Sequence, residues 1–385
     1  MASDFKVLQV IPKLGYGGAE TGCYDIAHFL AEKNCKSIIV TSGGPLIKYV
    51  RKNKVRVIKL PVHLKNPFIL IFNTIALIIL QIIFRIDIVH ARSRAPAWSC
   101  YWSTLITRRK FVTTFHGTYN FKNKLKKFYN SVMVKSKLII AGSNFIFDHI
   151  NENYPNYLNY KNKLLVIFRG INLEYYDPKR ISDIKLLKLK KEWGVEEDKF
   201  KVLLPGRLTN WKGQLNFIEA LNILIEDYKN DKFQAFILGS DQGRNVYKKK
   251  LQSLIDRYNI NKKIKFIDHC KEMPLAYAVS DIVVSSSIEP EAFGRVAVEA
   301  QAMQKPIIAT KLGGSMETII NNKTGILYKF DDPRELAKNI NSFMETDKLA
   351  LNIMGVEGRK NVMKKFDVNK MCQSTFSEYK KLLNL

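Results

Sequence analysis

Two carboxylates, Glu291 and Glu299, stand with seven residues between them in the stretch EPEAFGRVAVEAQAMQKP, in a chain whose 62 Lys and Arg outnumber its 35 Asp and Glu. The run from Arg295 to Met303 is apolar and Ala-rich, and it reads as a buried helix entered through Phe293 and Gly294. Glu299 then lies just over one turn beyond Arg295, and Glu291 falls in the loop leading into the helix. Two acids beside the positive end of a helix suit a ligand with many hydroxyl groups and a phosphate. The same spacing also suits an acid that offsets the helix dipole and a second, solvated Glu, so the local pattern leaves both readings open.

A second constellation, PGRLTNWKGQ, sets Arg207 and Lys212 on either side of a turn that opens a helix at Gly213. An Arg fork and a Lys point charge beside free helix N–H groups can clamp a diphosphate. Near the start, PKLGYGGAE carries Gly15, Gly17 and Gly18, which let backbone approach a phosphate or sugar closely. Glu20 occupies the place of the third glycine of a dinucleotide fingerprint, so NAD binding is only weakly supported. KFVTTFHGTY puts His116 at a strand end, where a single His is more often structural than catalytic.

These loops need strands to hold them. Short β-branched runs alternate with helical patterns: FKVLQVI, KSIIVT, KVRVIKL, DIVHA, KFVTTF, KLIIAG and KLLVIF. The rhythm breaks after Pro178, where residues 179–199 are charged and helical, and resumes with KVLLPG, FQAFILG, KIKFID, DIVVSSS, KPIIATK and GILYK. The pattern predicts two doubly wound α/β domains, 1–178 and 200–366, joined by 179–199, with a terminal helix over 367–385 that can pack back on the N-terminal domain. A length of 385 residues fits two domains.

Five cysteines, an odd number with no Cys-x-x-Cys spacing and no clustered His, suggest neither a disulfide framework nor a zinc site, and imply a reduced, cytoplasmic chain. The N-terminal residues lack the basic-then-apolar order of a signal peptide. The net charge of +27 is uneven: residues 1–180 hold 28 Lys and Arg against 9 Asp and Glu, a balance of +19. A basic half suggests an anionic partner, whether membrane surface, nucleic acid or phosphorylated substrate. Codon bias toward Lys explains part of the excess, though not its asymmetry. Residues 67–84, PFILIFNTIALIILQIIF, are too interrupted by Asn73, Thr74 and Gln81 for a membrane span, and read either as a core helix or as one that also dips into a membrane surface. FKNKLKKFYNSVMVKSK, residues 121–137, offers a second amphipathic helix in which Phe128 and Val132 face either lipid or the sheet.

PGRLTNWKGQ, SSSIEPEAFGRVAVEAQAMQKPIIATKLGGSMETI, the opening GGAE, the FHG loop and FRGINLEYYDP, in that setting and order, resemble the retaining nucleotide-sugar glycosyltransferases of family 4. The resemblance implies a GT-B fold, two Rossmann-like domains facing across a cleft, with the donor held mainly by the C-terminal one. It implies that Arg207 and Lys212 bind the donor diphosphate, that Glu299 holds ribose hydroxyls and that Glu291 contacts the transferred sugar. By the same resemblance Phe293, Gly294 and Arg295 offer backbone N–H groups, Gly17 and Gly18 approach the donor phosphates, and His116 lies near sugar and acceptor. Gln304 departs from the Gly that family members commonly carry before Lys-Pro. No Asp-x-Asp occurs, so no metal and no cofactor beyond the donor itself is expected. The resemblance to bacterial members points to a glycan or lipid-linked acceptor in lipopolysaccharide or other surface-polysaccharide synthesis. A nucleotide-sugar epimerase of the same fold is the alternative within the class, and a basic nucleic-acid-binding protein the alternative outside it, the latter lacking any recognised motif.

Overall fold

A computed structural model describes residues 5–119, 121, 123–158, 163–243 and 245–385. The chain forms two compact units, Met1–Gly170 together with Val368–Leu385, and Ile171–Asp367.

In the first unit β1 (Lys6–Val10), β2 (Lys36–Thr41), β3 (Val55–Lys59), β4 (Ile88–Ala91), β5 (Lys110–Phe115), β6 (Leu138–Ala141) and β7 (Lys163–Val166) make one sheet in the order β3-β2-β1-β4-β5-β6-β7. Every pairing is parallel, as the near-continuous apolar runs require of strands covered on both faces. The helices of this sheet are α1 (Gly18–Glu32), α2 (Pro67–Ile83), α3 (Arg94–Thr107), α4 (Lys124–Ser131) and α5 (Asn144–Asn153).

The second unit carries β8 (Phe200–Pro205), β9 (Phe233–Leu238), β10 (Ile264–Ile267), β11 (Ile282–Ser285), β12 (Ile307–Thr310) and β13 (Gly325–Tyr328), again all parallel, in the order β10-β9-β8-β11-β12-β13. Its helices are α6 (Asp183–Trp193), α7 (Gln214–Glu226), α8 (Asn245–Arg257), α9 (Met273–Val279), α10 (Arg295–Ala302), α11 (Ser315–Thr318), α12 (Pro333–Glu345) and α13 (Lys348–Lys365). Each strand run named from the sequence forms a strand. In both sheets the order reverses beside the first strand, between β1 and β4 and between β8 and β11, which is where doubly wound folds open a binding crevice at the strand ends.

The last helix, α14 (Val368–Leu383), packs in the first unit. Met371, Cys372 and Tyr379 join a core with Phe5, Val7, Ile26 and Leu30, and the Phe376 ring lies 5.6 Å from that of Phe5. Gln304, just beyond α10, has a positive φ of 56°, a conformation glycine adopts more readily, which accounts for the residue type common at this place in the family it resembles.

Helix α2 is turned inside out. Its buried positions are Asn73, Thr74, Leu77 and Gln81, whereas Phe68, Ile71, Phe72, Ile75, Ile79 and Ile82 are exposed. The inward polar groups are held: Asn73 Nδ2 donates to the Pro61 carbonyl at 3.3 Å, Gln81 Nε2 to Ser103 Oγ at 2.8 Å, and Thr107 Oγ1 to Gln81 Oε1 at 2.5 Å. The core-helix alternative for residues 67–84 is thus met by three polar positions and Leu77 rather than by the apolar majority.

Candidate active site

In the second unit the loops after β8 and β11 are tied to each other. Trp211 accepts from the Ile288 N–H at 2.8 Å, and Ser286 Oγ donates to the carbonyls of Lys212 and Gly213 at 3.1 and 3.0 Å. The approach is so close that a Cβ on Gly213, whose φ is +69°, would lie 1.8 Å from the Ser286 carbonyl oxygen. Buried Gln214 at the start of α7 donates to the Arg207 carbonyl at 2.9 Å and fixes the turn's other end.

This junction presents Lys212 to Glu291. Lys212 Nζ donates to Glu291 Oε1 at 2.7 Å, with only 12% and 10% of the two side chains exposed. Ser287 Oγ donates to the same oxygen at 2.7 Å, and Ser285 Oγ approaches it at 3.5 Å. Burial pushes the Glu291 carboxyl up, but Lys212 and the two hydroxyls together outweigh it and hold the group below its ordinary value, so it is ionised. Lys212 also sits 4.4 Å from the centre of the Trp211 ring. The Gly313–Gly314 turn after β12 completes the loop, with the Gly314 N–H donating to the Glu291 carbonyl at 2.7 Å. Arg207, in contrast, is exposed, and no carboxylate among the described residues pairs with it.

Gly294 is the N-cap of α10, with Phe293 just before it and Arg295 opening the first turn. Arg295 Nε donates to Glu299 Oε1 at 2.5 Å, and Tyr277 OH donates to Oε2 at 2.8 Å. Burial and the Glu299 charge push the Tyr277 phenol well above its usual value, so it stays a donor. Tyr176 packs 6.2 Å from the Tyr277 ring and hydrogen-bonds in the same cluster, its own phenol pushed well up by burial and Glu299. Arg295, Tyr277 and Tyr176 thus all bond Glu299 and fix its carboxylate in place. Phe293 is buried against Phe366, ring centres 5.5 Å apart.

In the first unit Gly17 caps α1 with no side-chain bond, and the Gly18 carbonyl accepts from the Arg169 guanidinium. His116 follows β5, and both of its ring nitrogens are buried with no hydrogen-bond partner among the described residues. Burial, reinforced by Arg169 and Arg92, holds its pKa well below the usual value, leaving a neutral imidazole with one donor and one acceptor.

The structure therefore brings Lys212 to Glu291 and Arg295 to Glu299, as two pairs at the strand ends of one unit, and places Gly17, Gly18 and His116 at the strand ends of the other. Sequence reasoning missed Tyr277, Tyr176, Arg92 and Arg169. Ser285 and Ser287 stood in the quoted run DIVVSSS, with no role assigned to them beside Glu291.

Residues 16–175 match the family described as Glycosyltransferase Family 4, and residues 187–360 that described as Glycosyl transferases group 1. A crystal structure of a glycosyltransferase from Rickettsia africae ESF-5 is 37% identical, with a TM-score of 0.89 over 99% of each chain. Spore coat protein SA of Bacillus subtilis is 27% identical over 307 residues, 77% of this chain and 79% of its own. HepE of Anabaena, solved in complex with UDP and glucose, shares the fold at 23% identity and a TM-score of 0.82 over 97% of this chain and 99% of its own. Two parallel sheets, each with a strand-order reversal beneath its functional loops, define the GT-B fold. The chain belongs to the family 4 glycosyltransferases.

Proposed function

We propose that this glycosyltransferase moves a hexose-type sugar from a nucleotide diphosphate sugar, with retention of configuration and without a metal, to a glycan or lipid-linked acceptor of a cell-surface polysaccharide. The observation that carries the donor class is the pairing of Lys212 with an ionised Glu291 beside exposed Arg207. Arg207 and Lys212 supply positive charge where the leaving diphosphate gathers negative charge, in a water-poor site. Glu291 and Glu299 accept hydrogen bonds from sugar and ribose hydroxyls, and the N–H groups of Phe293, Gly294 and Arg295 at the start of α10 meet sugar and phosphate. In the first unit taken by itself, Gly17 and Gly18 leave backbone open to a phosphate or sugar, and His116 can accept a hydrogen bond from a hydroxyl. The UDP complex of the Anabaena relative supports a nucleotide-sugar donor. Purified protein offered a panel of nucleotide sugars should release nucleoside diphosphate from one of them, unaffected by a chelator. Release abolished by chelation and rescued by manganese would overturn the metal-free mechanism, and no release from any donor would overturn the donor class.

The exposed face of α2 supports a lipid-linked acceptor reached from an anionic membrane surface. Among the described residues no helix is long and apolar enough to cross a membrane. Phe68 is 81% exposed, and exposed Leu105 and Ile106 on α3 add to the isoleucines of α2. Exposed Lys65 and Arg85 flank α2, Arg108 ends α3, and Lys124 and Lys126 lie on α4. Such an apolar face with a cationic rim fits lipid headgroups and the acyl boundary below them. For residues 121–137 the structure divides the alternatives, since Phe128 is exposed and Val132 fully buried; Lys122 lies outside the described residues. Changing Ile75, Ile79 and Ile82 together to Gln should leave the fold intact and abolish flotation with phosphatidylglycerol vesicles. Flotation that persists in the triple variant would remove this face from the proposal.

A further inference from the structure

The strand ends of the first unit hold more positive charge than the donor chemistry uses. Arg92, immediately after β4, is only 2% exposed. Its hydrogen bonds go to neutral acceptors, Gln9 Oε1 at 3.0 Å and the Gly22 carbonyl at 3.4 Å, and among the described residues no carboxylate pairs with it. A buried guanidinium with no counter-charge is costly unless something else supplies one.

A second guanidinium converges on it. Arg169, three residues beyond β7, runs across Gly142 with its Cγ 3.1 Å from where a Cβ would stand there. It ends above Gly22, where a Cβ would lie 3.1 Å from Arg169 Nη2 and 3.7 Å from Arg92 Nη1. Both guanidinium ends thus converge on the space above Gly22, where the absence of a side chain lets them approach the helix. That point lies beside the first turn of α1, whose leading N–H groups have no acceptor within the helix, and whose Gly18 carbonyl accepts from Arg169. His116, at the end of the adjacent strand β5, supplies two buried ring nitrogens that have no hydrogen-bond partner among the described residues. Glu20 is a carboxylate on the same rim, folded back over Gly17.

We propose that Arg92 and Arg169 bind an anionic group, phosphate or carboxylate, carried by the acceptor, and so select an acidic acceptor whose reacting hydroxyl lies by His116. This rests on the glycosyltransferase reading for the word acceptor, but the anion site stands on the first unit alone. Guanidinium forks match both oxyanions in bidentate fashion, and the helix start adds N–H donors. A neutral sugar leaves Arg92 without a counter-charge and is rejected on that ground.

The test measures binding to the full-length protein by calorimetry, with glucose 6-phosphate, glucuronate, inorganic phosphate and plain glucose as probes. The expected result is binding of at least one anionic probe, competition by the other anions, and none detectable for glucose. Arg169→Gln should weaken that binding about 10- to 100-fold, the loss of a charge-assisted pair. Because Arg92→Gln alters a buried side chain, its folding is checked by circular dichroism, and Arg169→Gln, on a half-buried residue, carries the conclusion if it fails. A Lys212→Ala variant must retain the anion binding, which separates this site from the donor diphosphate clamp. Anions that fail to bind, or that bind folded Arg169→Gln as well as wild type, overturn the site. Preference for glucuronate or for glucose 6-phosphate decides between carboxylate and phosphate. Absence of nucleotide release with anion binding intact would defeat the donor reading while leaving this one standing.

Discussion

Replacing Lys212 by Met removes the cation from a carboxylate that is nine-tenths buried. At 2.7 Å and an effective dielectric of about 20, the pair's attraction is roughly 6 kcal/mol. Desolvation of the two ions costs several kcal/mol each, so the intact pair adds little net stability. Loss of one partner is different, because Glu291 is left buried with only hydroxyl donors. Burial then dominates and drives its pKa up, so the folded variant takes a proton rather than keep the charge. The penalty is bounded by the work of protonating a group whose unfolded pKa is about 4.3, roughly 3.7 kcal/mol at pH 7 at about 1.4 kcal/mol per pH unit.

The sign then differs between the two proteins. In the wild type the folded Glu291 pKa is depressed, so its contribution is fully present above the unfolded value and is lost only as pH falls through the folded one. In Lys212→Met the folded pKa is raised, so the penalty is present at neutral pH and shrinks on acidification. The variant should therefore recover about 1 to 3 kcal/mol relative to wild type between pH 7 and pH 5. Urea unfolding followed by circular dichroism and tryptophan fluorescence at the two pH values measures it, with the transition displaced by the mutation assigned to the second unit. Lys212→Met/Glu291→Gln should show no such pH dependence. A gap between variant and wild type that is equal at pH 5 and pH 7 would refute the argument that Glu291 depends on Lys212 to stay ionised.

Arg207→Ala should cut nucleotide release about 10- to 100-fold in a steady-state assay while moving stability by no more than about 0.5 kcal/mol, because the side chain is exposed and no carboxylate among the described residues pairs with it. Tyr277→Phe, which removes a buried donor to Glu299 at 2.8 Å, should cost about 1.5 to 3 kcal/mol, seen as a lower Tm. Gly213→Ala should lower soluble yield and cost more than about 3 kcal/mol, whereas Gly243→Ala, at a similar φ of +79° but with nothing within 4 Å, should cost about 1 kcal/mol; comparison of their Tm values checks the pair.

The strands were legible because parallel strands buried on both faces must be short apolar runs, and each such run became one. The loops that carry Arg207, Lys212 and Glu291 were legible for a related reason, since glycine and proline mark strand ends and strand ends bear the chemistry. Tyr277 meeting Glu299 was not, because it sits on α9 in an ordinary apolar segment and only the packing of α9 beside α10 gives its hydroxyl a partner. Arg92 and Arg169 follow strands β4 and β7, which two others separate in the sheet, and nothing local in either loop names the other. Helix α2 misled through composition. Its signal was in the interruptions, for Asn73, Thr74, Leu77 and Gln81 recur at helical spacing and mark the inward face, so the apolar majority had to face out.

Helix α14 makes the first unit's core discontinuous in time as well as in sequence. His90 Nδ1 meets Tyr379 OH at 2.5 Å across a separation of 289 residues, and Phe5 stacks on Phe376. At about 5 to 20 residues per second, a ribosome needs roughly 15 to 60 s to travel from one member of the first pair to the other. Throughout that interval β1 and β4 exist without the helix that covers them, and the apolar face of α2 is already in solution. The nascent first half thus keeps exposed the apolar surface of Phe5, Val7, Ile26 and Leu30 that α14 covers once it has been made.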